Sequence, residues 1–158
     1  MDCDQTFVFA TGDLDAPDVR ALLAHHFAEM RADSPPEACH VLPIDGLRDP
    51  AIRFVTVRDD EGRLLGVGAL KHLGDRHGEV KSMRTAPTAL GRGVGGALLA
   101  HLIVLARDAG LSRLSLETGN SPLFDAANRL YAKAGFERCG PFGDYAPTPF
   151  THFYTRAI

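Results

Sequence analysis

The sequence predicts an α/β fold, in which an antiparallel three-strand meander is followed by a βαβ unit on one mixed sheet. Three observations carry that expectation. Apolar runs at 52–57, 63–72 and 79–85 are separated only by turn signals, Asp59-Asp60-Glu61-Gly62 and Gly74-Asp75-Arg76-His77-Gly78. Next comes Leu90-Gly91-Arg92-Gly93-Val94-Gly95-Gly96-Ala97, a glycine-rich stretch that opens a long apolar helix. Beyond that helix, 113–118 (RLSLET) reads as a strand parallel to the one before it, which makes 79–118 a βαβ unit.

The remaining elements follow in order. TFVFA at 6–10 reads as a first strand, turned by Thr11-Gly12-Asp13. Asp15 is placed to cap a helix, with Pro17 in its first turn, where a missing N–H costs little. Val19, Leu22, Leu23, Phe27 and Met30 recur at helical spacing and mark its core face. His25 and His26 lie beside that stripe, and the pattern gives them no role beyond surface. Residues 31–50 are irregular, with Pro35, Pro36, Pro43, Gly46 and Pro50. A connection of that length is commonly functional, so Asp33, Ser34, Glu37 and His40 are candidates to wall a substrate pocket. A plain surface connection, with a short helix from Pro36, fits equally well.

The helix at 92–109 carries Val94, Leu98, Leu102, Leu105 and Ala109 on one face, and Ala97, Leu99, Ile103 and Val104 extend the apolar surface. Such a helix packs deep against a sheet. Gly110 sits where a left-handed cap belongs. Ser121-Pro122 opens another helix with Leu123, Ala127, Leu130 and Ala134 inward and Gly135 after it. Strands at 136–139 and 150–156 complete the chain.

Composition narrows the function. The 158 residues suit one domain, 1–158, with a real core. A formal net charge of −3 gives no electrostatic case for nucleic acid or an anionic membrane surface. The three cysteines are scattered, without a CxxC pair, so no zinc site or disulfide scaffold is expected and a reducing cytoplasm fits. No apolar run approaches membrane-spanning length. A homodimer is compatible with the sequence.

The chemistry centres on the glycine stretch. A helix start leaves backbone N–H groups unpaired and partly positive, and glycines let that backbone touch an anion, most often a phosphate. Gly91-x-Gly93-x-x-Gly96 matches the dinucleotide fingerprint, with Glu117 about twenty residues on. In that fold the first glycine follows its strand directly. Here residues 86–90 intervene, after an antiparallel meander. Parsed from the arginine, Arg92-Gly93-Val94-Gly95-Gly96-Ala97 has the R-x-x-G-x-A form of the acetyl-CoA signature of the GNAT superfamily of N-acetyltransferases. Leu130-Tyr131-Ala132-Lys133-Ala134-Gly135-Phe136 resembles the same family's L-Y-x-x-x-G-F segment, and the order of elements is similar over nearly the whole chain. Within the superfamily, KSMRT, LSLETG and CGPFGDY resemble the YsnE-like bacterial subgroup, whose substrates are poorly defined.

The resemblance implies a sheet splayed between its two central parallel strands, with acetyl-CoA as cosubstrate in the gap and no metal. Backbone groups of Met83 and Thr85 would pair with the pantetheine arm as an added strand does. Amides of Arg92, Gly93, Val94, Gly95, Gly96 and Ala97 would hold the pyrophosphate, and an amide near Met83 would face the oxyanion. Acyl transfer to an amine needs a base, an oxyanion donor and help for the leaving thiolate. The resemblance places Tyr131 at the thiolate and Glu79 where some members keep a catalytic glutamate; Glu117, on the neighbouring strand, could replace it or bind the substrate amine, and His72 is a third candidate for the base.

Lys81 lies two residues from Glu79 on one strand face. As a cation near the acceptor end it would favour a carboxylate-bearing amine such as an amino acid; a solvated face is the plain alternative. Arg84 is a candidate for a CoA phosphate. The family often has Asn seven residues before the tyrosine, where this chain has Phe124. No motif sets a base beside Cys139, so a direct attack is expected. The expected acceptor is a small primary amine. A protein N-terminus or lysine, or acyl-CoA sensing without turnover, are the rivals.

Overall fold

The computed structural model describes residues 6–36 and 39–158. Among them seven strands form one sheet: β1 (Val8–Thr11), β2 (Ile52–Arg58), β3 (Leu64–Gly74), β4 (His77–Thr85), β5 (Arg113–Gly119), β6 (Glu137–Cys139) and β7 (Thr151–Ala157). Their order is β1-β2-β3-β4-β5-β7-β6, and β4–β5 is the parallel pair in an otherwise antiparallel sheet. The predicted meander is β2–β3–β4. The predicted βαβ unit is β4, α2 (Val94–Asp108) and β5.

Two helices clamp the middle of the sheet from opposite faces. Added β-carbons at Gly66 and Gly68 of β3 would meet Val94, Leu98 and Leu102, so α2 covers that face. Arg84 points the other way, to His25 and Glu29 of α1 (Pro17–Asp33). The close approach at Gly66 has a mechanical consequence. A β-carbon there would lie 2.9 Å from the Arg84 carbonyl oxygen and 3.1 Å from Val94. Backbone cannot rotate aside, so Gly66→Ala is expected to destabilise the fold by about 1–3 kcal/mol, the usual cost of overpacking. Chemical denaturation with an unchanged m-value checks this.

Several boundaries differ from expectation, for physical reasons. Asp15 does not cap α1: Ala16 is the N-cap, without a side-chain bond, and the Asp15 carboxylate accepts from Arg48 Nη2 at 2.6 Å. That arginine ends a 3₁₀ turn, Ile44–Arg48, which buries Leu47 within the stretch read as irregular. Helix α1 runs to Asp33, past the expected end at Met30. The short helix expected from Pro36 falls partly on Glu37 and Ala38, outside the described residues. Helix α2 starts at Val94, because Gly93 takes the left-handed conformation (φ 79°) that a side chain would strain. A 3₁₀ turn, Pro122–Phe124, precedes α3 (Asp125–Lys133).

Candidate active site

The splay is visible in the pairing. β4 and β5 are in register from His77↔Arg113 to Val80↔Leu116 and no further, although β4 continues to Thr85 and β5 to Gly119. A bulge sits where they part. Val67 pairs Arg84 and Ala69 pairs Lys81, so Gly68 faces two residues, Ser82 and Met83. Ser82 carries φ +54°, rare for a residue with a side chain. Bulges end pairing and re-aim backbone groups. The unpaired edge of β4 from 81 to 85 thus lines a cleft of about 840 Å³.

One end of the cleft is the start of α2. Ala97 N–H donates to the Gly93 carbonyl at 3.1 Å, closing the first helical turn. This corrects the expectation that the Ala97 amide binds phosphate, because that donor is spent. The N–H groups of Gly93, Val94, Gly95 and Gly96 are those a helix leaves without an internal acceptor. Gly91, Gly95 and Gly96 line the cleft, while the Val94 side chain is sunk in the core at 1 % exposure. Met83 and Thr85 line it as well.

The other end is a buried polar cluster. Glu79 Oε2 accepts from Lys81 Nζ at 3.1 Å and from the Tyr145 hydroxyl, and Lys81 Nζ also donates to that hydroxyl at 2.8 Å. The Lys81 and Glu79 side chains are 9 % and 4 % exposed. Lys81 is therefore not on a solvated face, and its charge is matched by Glu79 before any substrate arrives. Tyr145 comes from the β6–β7 loop. Burial, with the Glu79 carboxylate beside it, pushes its phenol well above the usual range, so it stays protonated and donates. His40 sets its ring edge-on to Tyr145 at 4.9 Å, and its buried Nε2 has no hydrogen-bond partner among the described residues. Tyr145→Phe removes a bond to a buried carboxylate and is expected to cost about 1.5–3 kcal/mol of stability, read from thermal unfolding.

Glu117 of β5 and Tyr131 of α3 also line the cleft. Burial raises the Glu117 carboxyl to about 7; Lys81 opposes that shift and Glu79 adds to it. Burial raises Tyr131 to about 12, with smaller contributions from Glu117 and Tyr154. The Phe124 ring packs against Gly119, where an added β-carbon would sit 2.2 Å from it. Asn128 Nδ2 donates to the Gly119 and Phe124 carbonyls at 3.1 and 3.0 Å, and Asn120 Nδ2 to Pro149 O at 2.7 Å. Neither asparagine's amide nitrogen stands in for the absent one.

Other expected residues lie elsewhere. His72 lines a separate, shallower pocket with Thr11, Gly12 and Phe54 and is no part of this cleft. Asp33 is exposed and accepts from Ser121 Oγ at 2.7 Å, which ties the end of α1 to the turn before α3. Arg84 does not face the phosphate end: its guanidinium donates to Glu29 at 2.8 Å and lies 3.2 Å from His25 Nε2. Alternation along β4 explains this, since Thr85 faces Gly95 and Arg84 the opposite side.

Sequence reasoning missed three groups. His25 and His26, given no role, line the cleft, and His26 is buried with Nδ1 unpartnered among the described residues. Burial and the nearby Arg84 charge lower His26 to about 4, so it is neutral at physiological pH. Tyr145 is the third. Its motif, CGPFGDY, was visible, but no pattern linked it to Glu79 across the chain. Among the described residues no cluster suits a metal ion, and no helix is long and apolar enough to cross a membrane.

Comparison with known proteins converges on one family. The model of the acetyltransferase (GNAT) family matches residues 17–136. YedL of Escherichia coli K12, an uncharacterized N-acetyltransferase, is 48 % identical over 152 residues, covering 96 % of this chain and 95 % of that one. YsnE of Bacillus subtilis 168, also an uncharacterized N-acetyltransferase, is 42 % identical over 146 residues, 92 % and 96 % of the two chains. The IAA acetyltransferase of Azospirillum brasilense is 40 % identical over 126 residues, 78 % and 80 %. Spermidine N-acetyltransferase from Vibrio cholerae, solved with CoA and spermine, shares the fold at TM-score 0.72 and 17 % identity over 96 % and 95 % of the chains. With its splayed sheet, amide-lined helix start and family-model match, this chain belongs to the GNAT acetyltransferases and is an acyl-CoA-dependent N-acyltransferase.

Proposed function

We propose that the chain acts as one domain that moves the acetyl group of acetyl-CoA to a primary amine of a small molecule, both substrates being bound at once. The observation that carries this reading is the alignment of three features along one cleft. Backbone donors at the start of α2 suit a diphosphate. The bare edge of β4 suits the amides of the pantetheine arm. Tyr131 and Glu117 stand beyond the point where the strands part.

The steps follow from those positions. The amine nitrogen attacks the thioester carbonyl, forming a C–N bond and an oxyanion, for which an amide of the bulge at Met83 is the proposed donor. The intermediate then expels the CoA thiolate as the C–S bond breaks. Tyr131, still protonated with its pKa near 12, donates a hydrogen bond to that sulfur. A nitrogen proton ends on the sulfur, giving amide and free thiol.

A small acceptor is favoured over a protein chain because Ser34, Cys39, His40 and Val41, from the segment after α1, line the cleft together with β4. The test is thiol release from acetyl-CoA with a panel of tyramine, agmatine, spermidine, phenylalanine, glutamate and IAA, the last chosen from the name of a relative. Turnover with a primary amine of the panel, and none with acetylatable peptides, supports the reading; turnover with IAA alone overturns the primary-amine acceptor. Tight acetyl-CoA binding without turnover on any acceptor supports a sensor instead.

A further inference from the structure

We propose that Glu117 receives the protonated amine of the acceptor and takes its proton, while the Glu79–Lys81–Tyr145 cluster is a fixed wall rather than the base. This deepens the acetyltransferase reading and rests on it.

Geometry separates the two carboxylates. Glu79 Oε2 holds both the Lys81 ammonium and the Tyr145 hydroxyl. Taking a proton there would break a buried ion pair. Glu117 lines the same cleft, and no ion pair or hydrogen bond engages its carboxylate among the described residues. Among the described residues, four groups interact with it electrostatically: Glu79 and Lys81 of β4, Tyr131 of α3 and Tyr145 of the β6–β7 loop. The last two are neutral phenols, and the first two cancel in charge. An incoming ammonium therefore meets one carboxylate without a counter-ion, beside the tyrosine assigned to the leaving sulfur.

The substrate class follows from the same census. Lys81 is matched by Glu79, and Arg84 by Glu29 at 2.8 Å. Among the described residues no lysine or arginine lining this cleft awaits a substrate carboxylate, so the acceptor is a cationic amine rather than a zwitterionic amino acid. Proton balance is kept: the ammonium proton passes to the Glu117 carboxylate, the freed lone pair forms the C–N bond, and the C–S bond breaks. The second nitrogen proton goes to the thiolate, and Glu117 returns its own to solvent. An alkylammonium of pKa about 10 lies some six pK units above an ordinary glutamate. A carboxyl near 7 closes about half of that gap.

The experiment compares wild type, Glu117→Gln, Glu117→Asp and Glu79→Gln with acetyl-CoA and the cationic probes tyramine, agmatine and spermidine, over pH 5.5–9.5. Glu117→Gln is expected to lower kcat/KM by about 10²- to 10⁴-fold and to erase the acidic limb near pH 7. Acetyl-CoA affinity by calorimetry should be unchanged, which also reports a folded variant. Glu117→Asp should keep the limb at reduced kcat, and Glu79→Gln should keep it but move it to lower pH, because Lys81 is then unmatched beside Glu117. An acidic limb surviving in Glu117→Gln, or vanishing in Glu79→Gln, overturns the assignment while leaving the acetyltransferase reading intact. Higher kcat/KM for glutamate, phenylalanine or IAA than for the cations overturns the substrate class. Wild type that releases no thiol with any probe overturns the acetyltransferase reading itself, and this assignment with it.

Discussion

Tyr131→Phe is expected to lower kcat by about 10²- to 10⁴-fold while leaving acetyl-CoA affinity within a factor of a few. The hydroxyl is the only atom removed. The ring keeps its contacts with Phe136 and Tyr154, at centroid distances of 6.3 and 6.0 Å, so folding is spared. No hydrogen bond to the hydroxyl is found among the described residues, and Tyr131 lines the cleft. Burial holds the phenol near 12, well above a thiol at about 8.5. A departing thiolate therefore gains a strong hydrogen bond without stripping the proton. The sign of the pH dependence follows. A group protonated throughout pH 6–10 adds no limb to the profile, so the loss in the variant should be uniform across that range. The donors proposed for acetyl-CoA are backbone amides at the start of α2, which the substitution does not touch, and calorimetry should show its binding intact. Equal kcat in the variant would remove Tyr131 from the chemistry.

The parts of this architecture that were legible in the sequence are those fixed by local pattern. Two turn signals and alternating apolar runs define β2, β3 and β4. The stretch 91–96 reads as a helix start because glycine spacing and the apolar run after it are contiguous. What escaped is what depends on distant contacts. Tyr145 meets Glu79 across 66 positions, and Arg84 meets His25 across 59. No period of 2 or 3.6 encodes such a meeting. Lys81 and Glu79 were rightly placed on one face, but whether that face is wet depends on the β6–β7 loop that covers it. Asp15 shows the converse error. A residue with the right chemistry for a cap lies one position before the N-cap, Ala16, and its carboxylate meets the Arg48 guanidinium, 33 positions away, instead. The expectation of an oxyanion donor near Met83 came from the family resemblance; the bulge found there, with Ser82 in it, carries no turn signature.

Gly95→Asp is expected to weaken acetyl-CoA binding by about 100-fold or more, the loss of two charge-assisted hydrogen bonds at about 1.5–3 kcal/mol each. Two effects act together. A β-carbon at this position lies 3.2 Å from Leu130 Cδ2 and 3.8 Å from Thr85 Oγ1, both at the cleft wall. The carboxylate beyond it would stand among the N–H groups of Gly93 to Gly96 and occupy the donors a diphosphate needs. Its charge would also repel the ligand. Unfolding is not the cause to expect. Leu130 presents the tip of a flexible side chain, which can yield a few tenths of an ångström. An acidic residue in the first turn of a helix is itself stabilising, by about 0.3–1 kcal/mol. The melting temperature of the free variant should therefore hold or rise while calorimetric affinity for acetyl-CoA collapses. Gly95→Ala separates the two effects: it keeps the steric contact with Leu130 without the charge, and should lose far less. Undiminished affinity in Gly95→Asp would place the diphosphate somewhere other than the start of α2, and the cleft would then have to be read in a different direction.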